Sequence, residues 1–294
     1  MRITRFDDGK IGIVVGDRIV DVSDVVTEVL TTDVHAWPPV AMNQLIARFD
    51  QLRGALEVAA QRQGTPLAQA RLLTPVPAAS KVIAYPINYH AHGVEMGRDT
   101  RANHLGFFLK PPSSLCGASD DIVLPAIVGR RIDHECELAI VIGKRCRDVK
   151  REDWASVVFG YSCLMDIVVR GKEERVARKA YDTFCPVGPW IVTADELGDP
   201  SALQGRLWVN DELRQDANTR DLVLDIPGMI EVASHIMTLE PGDIIACGTP
   251  AGVGPITPGD VVRIEFERIG GMTMKVVQGT GGRASIFEPQ AATA

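Results

Sequence analysis

Residues 133–143 constrain the fold more than any other part of this sequence, because they change from acidic to wholly apolar within one candidate strand. The segment is Asp-His-Glu-Cys-Glu-Leu-Ala-Ile-Val-Ile-Gly. Successive side chains of a strand point to opposite faces, so Glu135 and Glu137 lie on the same face and Cys136 on the other. Two neighbouring carboxylates at the start of a buried strand repel each other and lose hydration, which either raises a pKa or requires a cation.

A third acid, Asp166, has only apolar or sulfur-containing neighbours in residues 163–169. Buried carboxylates normally have partners. An all-oxygen set of Glu135, Glu137 and Asp166 favours a hard cation, Mg²⁺ first and Mn²⁺ or Ca²⁺ next, over zinc. The alternative is that the glutamates pair with Lys or Arg on an exposed edge strand and that Asp166 caps a helix. The pattern alone leaves both interpretations open.

Residues 88–96, Asn-Tyr-His-Ala-His-Gly-Val-Glu-Met, contain a second candidate pair. His92 and Glu95 are three residues apart and meet on one face if the segment is helical. Such a pair can hold the imidazole in one tautomer and orient it to take a proton from water. The alternative is a solvated short helix with incidental charges.

Two further segments carry polar groups whose role the pattern leaves open. Lys179 precedes a mixed aromatic and proline turn, where it either lies beside a polarised oxygen or is an ordinary surface lysine. Residues 248–254, Gly-Thr-Pro-Ala-Gly-Val-Gly, lack the Gly-Lys-Ser/Thr ending of a phosphate loop, so nucleotide binding is not predicted. The backbone amides of this loop could still receive a carboxylate.

Hydrophobic patterning predicts a small α+β unit at the start of the chain, followed by a part dominated by strands. Residues 1–24 read as a β-meander with two tight turns, and the spacing of Leu45, Phe49, Leu52 and Leu56 predicts a helix within residues 42–62. Residues 63–80 contain three prolines and read as a linker. Downstream strands are predicted at 81–85, 122–124, 135–142, 187–192, 203–209, 243–246 and 261–266, and helices at 151–158, 172–179 and 229–237.

Composition excludes several classes of protein. The net charge is −7, and no stretch gathers Lys and Arg into a stripe, so we expect no nucleic-acid partner. No apolar run approaches the ~20 residues that cross a bilayer, and the first residues lack the apolar region of a signal peptide. The six cysteines form no C-x-x-C pair, which is typical of thiols in a reducing compartment. We therefore expect a cytoplasmic protein without a membrane partner.

Taken together, these segments resemble the fumarylacetoacetate hydrolase (FAH) family over about residues 78–280. Several motifs occur in one order, which is far more specific than any one of them. They are Asn88-Tyr89-x-x-His92-x-x-Glu95, Phe108-Leu109-Lys110-Pro111-Pro112-Ser113-Ser114, Glu135-x-Glu137-Leu138-Ala139, Gly160-Tyr161 with Asp166, Lys179 with Asp182-Thr183-Phe184-Cys185-Pro186, and Gly248-Thr249-Pro250-Ala251-Gly252-Val253-Gly254.

The resemblance implies an α+β, β-dominated fold and a homodimer. A small α+β N-terminal domain at residues 1–75 would precede a mixed β-roll catalytic domain at 78–290. The implied metal ligands for Mg²⁺ or Mn²⁺ are Glu135, Glu137 and Asp166. The implied catalytic residues are His92 and Glu95, on a short lid helix, and Lys179, and the implied substrate-binding residues are Tyr89, Lys110, Arg170, Gly248 and Thr249.

The activity that the resemblance implies is that of a hydrolase of aromatic catabolism. It would cleave a C–C bond of a small 2,4-dioxo acid, such as an acylpyruvate or fumarylpyruvate, through a metal-bound enolate and a water activated by His92 and Glu95. An enol–keto isomerase (tautomerase) or a decarboxylase acting on 2-oxo diacids would use the same metal site. A metal-binding scaffold without catalysis is the alternative from another class.

One segment departs from the family pattern. After Asp166 the family often continues Val-Ser-Ala-Arg-Asp-x-Gln, whereas this chain continues Ile-Val-Val-Arg-Gly-Lys-Glu, so only Arg170 is shared. Gln and Glu differ in charge and in hydrogen-bond donors. Glu173, if it lines the pocket, would therefore alter which distal group of the substrate is accepted.

Overall fold

The apolar run that follows Glu137 forms a central strand of the largest sheet. In the computed structural model, every side chain of Cys136–Ile142 is buried. Leu138 and Ile140 belong to one hydrophobic cluster, whereas Ala139 and Val141 belong to another on the opposite face. Because both faces of this strand are covered, its sequence is uniformly apolar rather than alternating. The structure describes residues 1–30, 40–127, 129–283 and 285–287.

Twenty strands are present in these described ranges. In chain order they are β1 (Arg2–Phe6), β2 (Lys10–Val15), β3 (Arg18–Asp21), β4 (Thr65–Pro66), β5 (Leu72–Leu73), β6 (Val82–Ala84), β7 (Phe108–Lys110), β8 (Leu115–Cys116), β9 (Ile122–Leu124), β10 (Ile132–His134), β11 (Cys136–Ile142), β12 (Val158–Met165), β13 (Val168–Val169), β14 (Cys185–Thr193), β15 (Gln204–Val209), β16 (Glu212–Asn218), β17 (Ile244–Ala246), β18 (Gly254–Pro255), β19 (Val261–Phe266) and β20 (Gly270–Gln278).

The helices are short and connect these strands. The α-helices are α1 (Ser23–Val29), α2 (Ala41–Ala47), α3 (Phe49–Ala59), α4 (His90–Glu95), α5 (Ala102–Leu105), α6 (Arg175–Lys179), α7 (Ala194–Leu197) and α8 (Ile226–Ile236). Single-turn or longer 3₁₀ helices lie at Leu67–Gln69, Pro112–Ser114, Arg151–Val157, Thr219–Asp221 and Ser285–Phe287. Among the residues described, no helix has the length and apolar character needed to cross a bilayer.

The N-terminal meander and the downstream strands share one sheet. The 12-stranded sheet runs β4-β3-β2-β1-β14-β12-β11-β17-β6-β7, with β5 beside β1 and β8 beside β14. The junction is the antiparallel pairing of β1 with β14, in which Ile3 faces Ile191. The division into domains at 1–75 and 78–290 stays a prediction, of which residues 31–39, 128, 284 and 288–290 lie outside the described ranges. Two smaller sheets, β13-β10-β18 and β16-β15-β19-β20-β9, complete the strand-rich fold.

The predicted elements agree with the structure where hydrophobic patterning is strong. The β-meander forms β1, β2 and β3, but the helix predicted at 42–62 is two helices, α2 and α3, separated at Arg48. The helix predicted at 151–158 is a 3₁₀ helix. Strands β7, β12, β16 and β20 were not predicted. β12 is buried on both faces and therefore lacks alternation, and β16, Glu-Leu-Arg-Gln-Asp-Ala-Asn, lies at a sheet edge with mostly polar side chains.

Asn88 fixes the segment that leads into α4. β6 lies parallel to β17, so the residues after both strands leave the sheet at the same edge. The buried Asn88 amide nitrogen donates to the carbonyls of Cys247, at 2.8 Å, and Leu224, at 2.9 Å. Its carbonyl oxygen accepts from the Leu224 backbone N–H at 2.8 Å. One side chain therefore joins three segments of the chain beside the start of α4.

We predict that Asn88→Ala lowers the free energy of unfolding by about 3 kcal/mol, because it removes the partner of the buried Cys247 carbonyl and of the partly buried Leu224 N–H and carbonyl. Urea unfolding followed by circular dichroism measures the change. His90→Ala is the matched control, because His90 is exposed and only two residues away. A loss no larger than that of the control would contradict the anchoring role of Asn88.

Candidate active site

Three acidic side chains converge at one end of the β11–β12 pair. Glu135 immediately precedes β11, Glu137 lies in it, and Asp166 immediately follows β12. The antiparallel register pairs Glu137 with Leu164, and the Asp166 backbone N–H donates to the Glu135 carbonyl at 3.0 Å. One carboxylate oxygen from each acid lies within 4.8 Å of the others, and all three residues are buried. The exposed edge strand and the helix cap considered as alternatives are therefore wrong.

Two buried lysines neutralise part of this acidic group. The Lys110 ammonium lies 2.5 Å from Asp166 Oδ1, and it also donates to the carbonyls of Lys179, at 2.8 Å, and Phe184, at 3.2 Å. The Lys179 ammonium lies 2.7 Å from Glu135 Oε2 and donates to Asp166 Oδ2. Lys179 is 5% exposed, so the surface-lysine alternative is also wrong.

Glu137 has no basic partner among the described residues. Its Oε2 accepts a hydrogen bond from the Gly248 backbone N–H at 2.8 Å. Burial, followed by repulsion from Asp166, raises the pKa of Glu137 well above its usual value. Burial acts in the same direction on Glu135, but the charges of Lys179 and Arg170 outweigh it and lower the pKa of that carboxyl. Within the described part of the chain, Glu137 is therefore the one acid of the three whose ionised form has no cation in contact to offset it.

The arrangement fits a divalent cation with a preference for oxygen ligands. All three ligand atoms are carboxylate oxygens, which suits Mg²⁺, Mn²⁺ or Ca²⁺ better than a metal that prefers sulfur or nitrogen. A cation would also counter the two main causes of the raised Glu137 pKa, since its positive charge stabilises a buried carboxylate and offsets the repulsion from Asp166. The group could therefore hold the metal that the sequence predicts.

His92 and Glu95 form a hydrogen-bonded pair on α4. His92 Nδ1 lies 2.9 Å from Glu95 Oε2, and Glu95 Oε1 accepts the Gly252 backbone N–H at 2.9 Å. An ionised carboxylate only accepts, so in the neutral imidazole Nδ1 carries the hydrogen and Nε2 has the lone pair. His92 is 5% exposed and lines the same cavity as the three acids. The predicted pair on one helical face is thus present, and it leaves Nε2 free to accept a proton.

A cavity of about 340 Å³ connects these groups. The acids Glu135, Glu137 and Asp166 form its anionic part. Its cationic part consists of Lys179 and several arginines, and the remaining wall is largely apolar. Besides the acids and His92, its lining includes Lys179, Thr249, Arg98, Arg170, Arg175, Arg178, Tyr85, Ile87, Met96, Leu105 and Phe108.

Three of the residues predicted to bind substrate do not line this cavity. Lys110 does not line the cavity, because its ammonium is 1% exposed and is held by Asp166 and two backbone carbonyls. Tyr89 lines a different cavity on the other side of α4, beside Asp216. Gly248 uses its N–H to bind Glu137. Lys110 and Gly248 therefore hold the acids in place, whereas Tyr89 contributes to another cavity.

Arg170 lies in the cavity wall as predicted, whereas Glu173 does not. Arg170 Nε lies 2.5 Å from Asp133 Oδ2, and its Nη2 lies 3.2 Å from Glu135 Oε1. Glu173 pairs with Arg130 at 2.8 Å, and this hydrogen bond lowers the pKa of Glu173 to about 2. Glu173 is therefore not placed to contact a substrate in this cavity.

Gln215 is a buried connection that the sequence analysis missed. Its Oε1 accepts the Cys136 backbone N–H at 2.9 Å, and its Nε2 donates to Thr249 Oγ1 at 2.8 Å. Because the Thr249 oxygen accepts this bond, the hydroxyl hydrogen remains available to donate to a ligand in the cavity. Gln215 lies in the polar strand β16, where nothing in the local pattern distinguishes it.

Arg175 and Arg178 were also missed, although a signal was present. They precede Lys179 by four and one residues within a segment that was predicted to be helical. Side chains four residues apart share a helical face, so Arg175 could have been placed beside Lys179.

Known proteins are similar to this chain in sequence and structure over nearly its full length. The family model described as "Fumarylacetoacetate (FAA) hydrolase C-terminal" matches residues 81–277. Maleylpyruvate hydrolase from Aquipseudomonas alcaligenes is 43% identical over 288 residues, which cover 94% of this chain and 99% of that protein. Maleylpyruvate hydrolase from Sphingobium sp. SYK-6, solved with manganese (II) ion and pyruvate, is 57% identical, with a TM-score of 0.87, over 95% of this chain and 100% of that one.

A related isomerase is similar over the same length. The crystal structure of 5-carboxymethyl-2-hydroxymuconate delta-isomerase from Mycobacterium smegmatis is 36% identical, with a TM-score of 0.73, over 96% of this chain and 100% of that one.

We predict that Glu137→Gln weakens Mn²⁺ binding by about 100-fold, because it removes the charge of one ligand while keeping its shape. Isothermal titration calorimetry with Mn²⁺ alone measures the affinity. The metal-free variant should be at least as stable as the parent, since Gln avoids burying a carboxyl whose pKa is raised. Glu152→Gln, an exposed change of the same kind, is the control. Equal affinity for Mn²⁺ in Glu137→Gln and Glu152→Gln would show that Glu137 is not a metal ligand.

Proposed function

Because the chain belongs to the fumarylacetoacetate hydrolase family, we propose that it is a metal-dependent hydrolase that cleaves a C–C bond of an acylpyruvate, a 2,4-dioxo acid. One observation carries this proposal: an imidazole with a free Nε2 opens onto the same cavity as the Glu135, Glu137 and Asp166 carboxylates. Hydrolysis needs both a group that accepts a proton from water and a site that stabilises a developing enolate. The two relatives named as maleylpyruvate hydrolases support this choice.

Glu135, Glu137 and Asp166 would hold Mg²⁺ or Mn²⁺, and such a cation, when bound, supplies a Lewis acid for substrate oxygens. The choice of Mn²⁺ has support from the manganese complex of the Sphingobium relative.

The cavity wall offers binding groups for the carboxylate and oxo oxygens of the substrate. The Thr249 hydroxyl has its hydrogen free, because its oxygen already accepts from Gln215. The Lys179 ammonium is held by Glu135 and Asp166 at the edge of the cavity. These two acids use two of its three N–H donors, so the third can donate to a substrate oxygen. These residues orient the pyruvoyl end of the substrate.

His92 supplies the general base. Its Nε2 takes a proton from water while Glu95, held by the Gly252 N–H, stabilises the imidazolium. The water oxygen forms a bond to the C4 carbonyl carbon, and the C3–C4 bond then breaks. The electron pair of that bond remains with the three-carbon fragment as an enolate, and the proton held by the His92 imidazolium converts it to pyruvate. The fragment that contains C4 leaves as a carboxylic acid.

Isomerisation, tautomerisation or decarboxylation of 2-oxo diacids is the second candidate. The relative named as a delta-isomerase supports it. Two observations favour hydrolysis. At similar coverage, the Sphingobium hydrolase is 57% identical and the isomerase 36%. The Glu95-oriented His92 also provides a water-activating base. A homodimer and a cytoplasmic location stay predictions from the sequence.

We predict that His92→Ala lowers kcat by about 10²–10⁴-fold, the usual contribution of a positioned general base. Steady-state kinetics with an acylpyruvate and Mn²⁺ measures the loss, and calorimetry should find Mn²⁺ affinity unchanged. Glu95→Gln should give a smaller loss, since it keeps the contact but removes the charge that stabilises the imidazolium. His90→Ala is the control, because His90 is on the same helix and exposed. Unchanged turnover in His92→Ala would sink the assignment.

We predict that acylpyruvates are turned over with C–C cleavage, faster than oxaloacetate is decarboxylated or tautomerised. A panel of acylpyruvates, oxaloacetate and unsaturated 2-oxo diacids, followed by NMR with Mg²⁺ or Mn²⁺, separates the three reactions. Full activity after chelation would contradict the metal-dependent scheme. Metal binding without turnover of any member would favour a noncatalytic scaffold.

A further inference from the structure

Two arginines in the cavity wall have no anionic partner. Arg175 and Arg178 lie on α6, and no carboxylate in the described part of the chain is within 4.0 Å of either guanidinium. Arg178 Nε donates to the Glu173 carbonyl at 2.8 Å, and its Nη1 to the Val169 carbonyl at 3.4 Å. These partners are neutral, so they hold the side chain in place without cancelling its charge.

Two other cations of the same cavity are neutralised, whereas the exposed Arg98 has no carboxylate within 4.0 Å among the described residues. Lys179 pairs with Glu135 and Asp166, and Arg170 pairs with Asp133 and Glu135. Burial, followed by the nearby charges of Arg175 and Arg170, lowers the pKa of Arg178. The α6 side of the cavity therefore has unbalanced positive charge, which an anion entering the cavity would offset.

Phe108 holds Arg175 at a defined place relative to Lys179. The Arg175 guanidinium carbon lies 5.1 Å from the centroid of the Phe108 ring, and the Lys179 ammonium lies 5.4 Å from it. Residues four apart on a helix are separated by about one turn, ~5–6 Å. Arg175 thus lies one helical turn beyond a residue that contacts the acidic group. A short acyl chain is long enough to cover that separation.

We propose that Arg175 binds a carboxylate at the distal end of the substrate, with Arg178 adding positive charge beside it. The inference rests on the proposed function, because it places the pyruvoyl end at Thr249 and Lys179 and the acyl group beyond them. A guanidinium has donors in a planar fork that matches a carboxylate, and the cation–π contact leaves those donors unused. The preferred substrates are then acylpyruvates that carry a second carboxylate.

Comparing a substrate that has the distal carboxylate with one that lacks it tests this assignment. Maleylpyruvate has it, whereas acetylpyruvate ends in a methyl group. Arg175→Met should lower kcat/KM for maleylpyruvate by about 10–100-fold, mainly through KM, because it removes a charge-assisted hydrogen bond. The kcat/KM for acetylpyruvate should change by less than about 3-fold, since that substrate makes no such bond. Arg175→Lys should recover part of the loss for maleylpyruvate.

Lys172→Met is the matched control, because Lys172 is an exposed cation near α6 that does not line the cavity. It should leave both substrates unaffected. Equal losses for the two substrates in Arg175→Met would overturn the inference, because they would indicate a structural role for Arg175 through Phe108. If Arg175→Met does not fold, Arg175→Gln replaces it in the same comparison. The wild-type protein gives a second test, because a higher kcat/KM for acetylpyruvate than for maleylpyruvate would overturn the inference.

Failure of the proposed function gives a different result. In that case the wild type cleaves neither substrate, and both proposals fall together. If the wild type cleaves both substrates and Arg175→Met leaves their ratio unchanged, only the distal carboxylate site is wrong.

Discussion

Repulsion among three buried carboxylates is the constraint around which this structure is organised. Glu135, Glu137 and Asp166 are brought together by the register of β11 and β12, in a place where water cannot screen them. Lys110 and Lys179 offset part of their charge. Neither lysine contacts Glu137, so one carboxyl remains with a raised pKa and a need for positive charge. A cation site of this kind costs stability unless the rest of the fold holds it in place.

The surrounding structure supplies that support. Ala139 and Val141 lie on the same face of β11 as Glu137, and they share a hydrophobic cluster with N-terminal residues such as Met42 and Leu45. The N-terminal part therefore covers the strand that presents the acid. On the neighbouring edge, Asn88 joins the start of α4 to Cys247, which follows β17, and Gly248 donates its N–H to Glu137. Gly248 has φ +90° and lies so close to Asn88 that a Cβ would be 2.6 Å from the Asn88 Cβ, so this contact requires glycine.

The shared face of Glu135 and Glu137 and that of His92 and Glu95 were predictable because each is local, whereas Asp166 joins the glutamates only through the register of β11 and β12, and the pattern alone left the metal site open. Two glutamates at i and i+2 of a strand, and a histidine and a glutamate at i and i+3 of a helix, face the same way whatever the rest of the chain does. Lys110, Tyr89 and Gly248 were assigned to substrate by resemblance alone, and contacts from distant segments decide their places. Gln215 and strand β12 escaped prediction because neither has a distinctive local pattern.

The sequence by itself determined a β-dominated fold, the acidic start of a buried strand and the helical face that pairs His92 with Glu95. These follow from periods of two and 3.6 residues, which are properties of the local backbone. Only the tertiary structure decided which charges remain unpaired. The acids receive lysines from β7 and α6, whereas Arg175 and Arg178 receive no carboxylate from the described residues. Charge balance depends on distances of a few ångströms between residues far apart in the chain, and no local pattern encodes those distances.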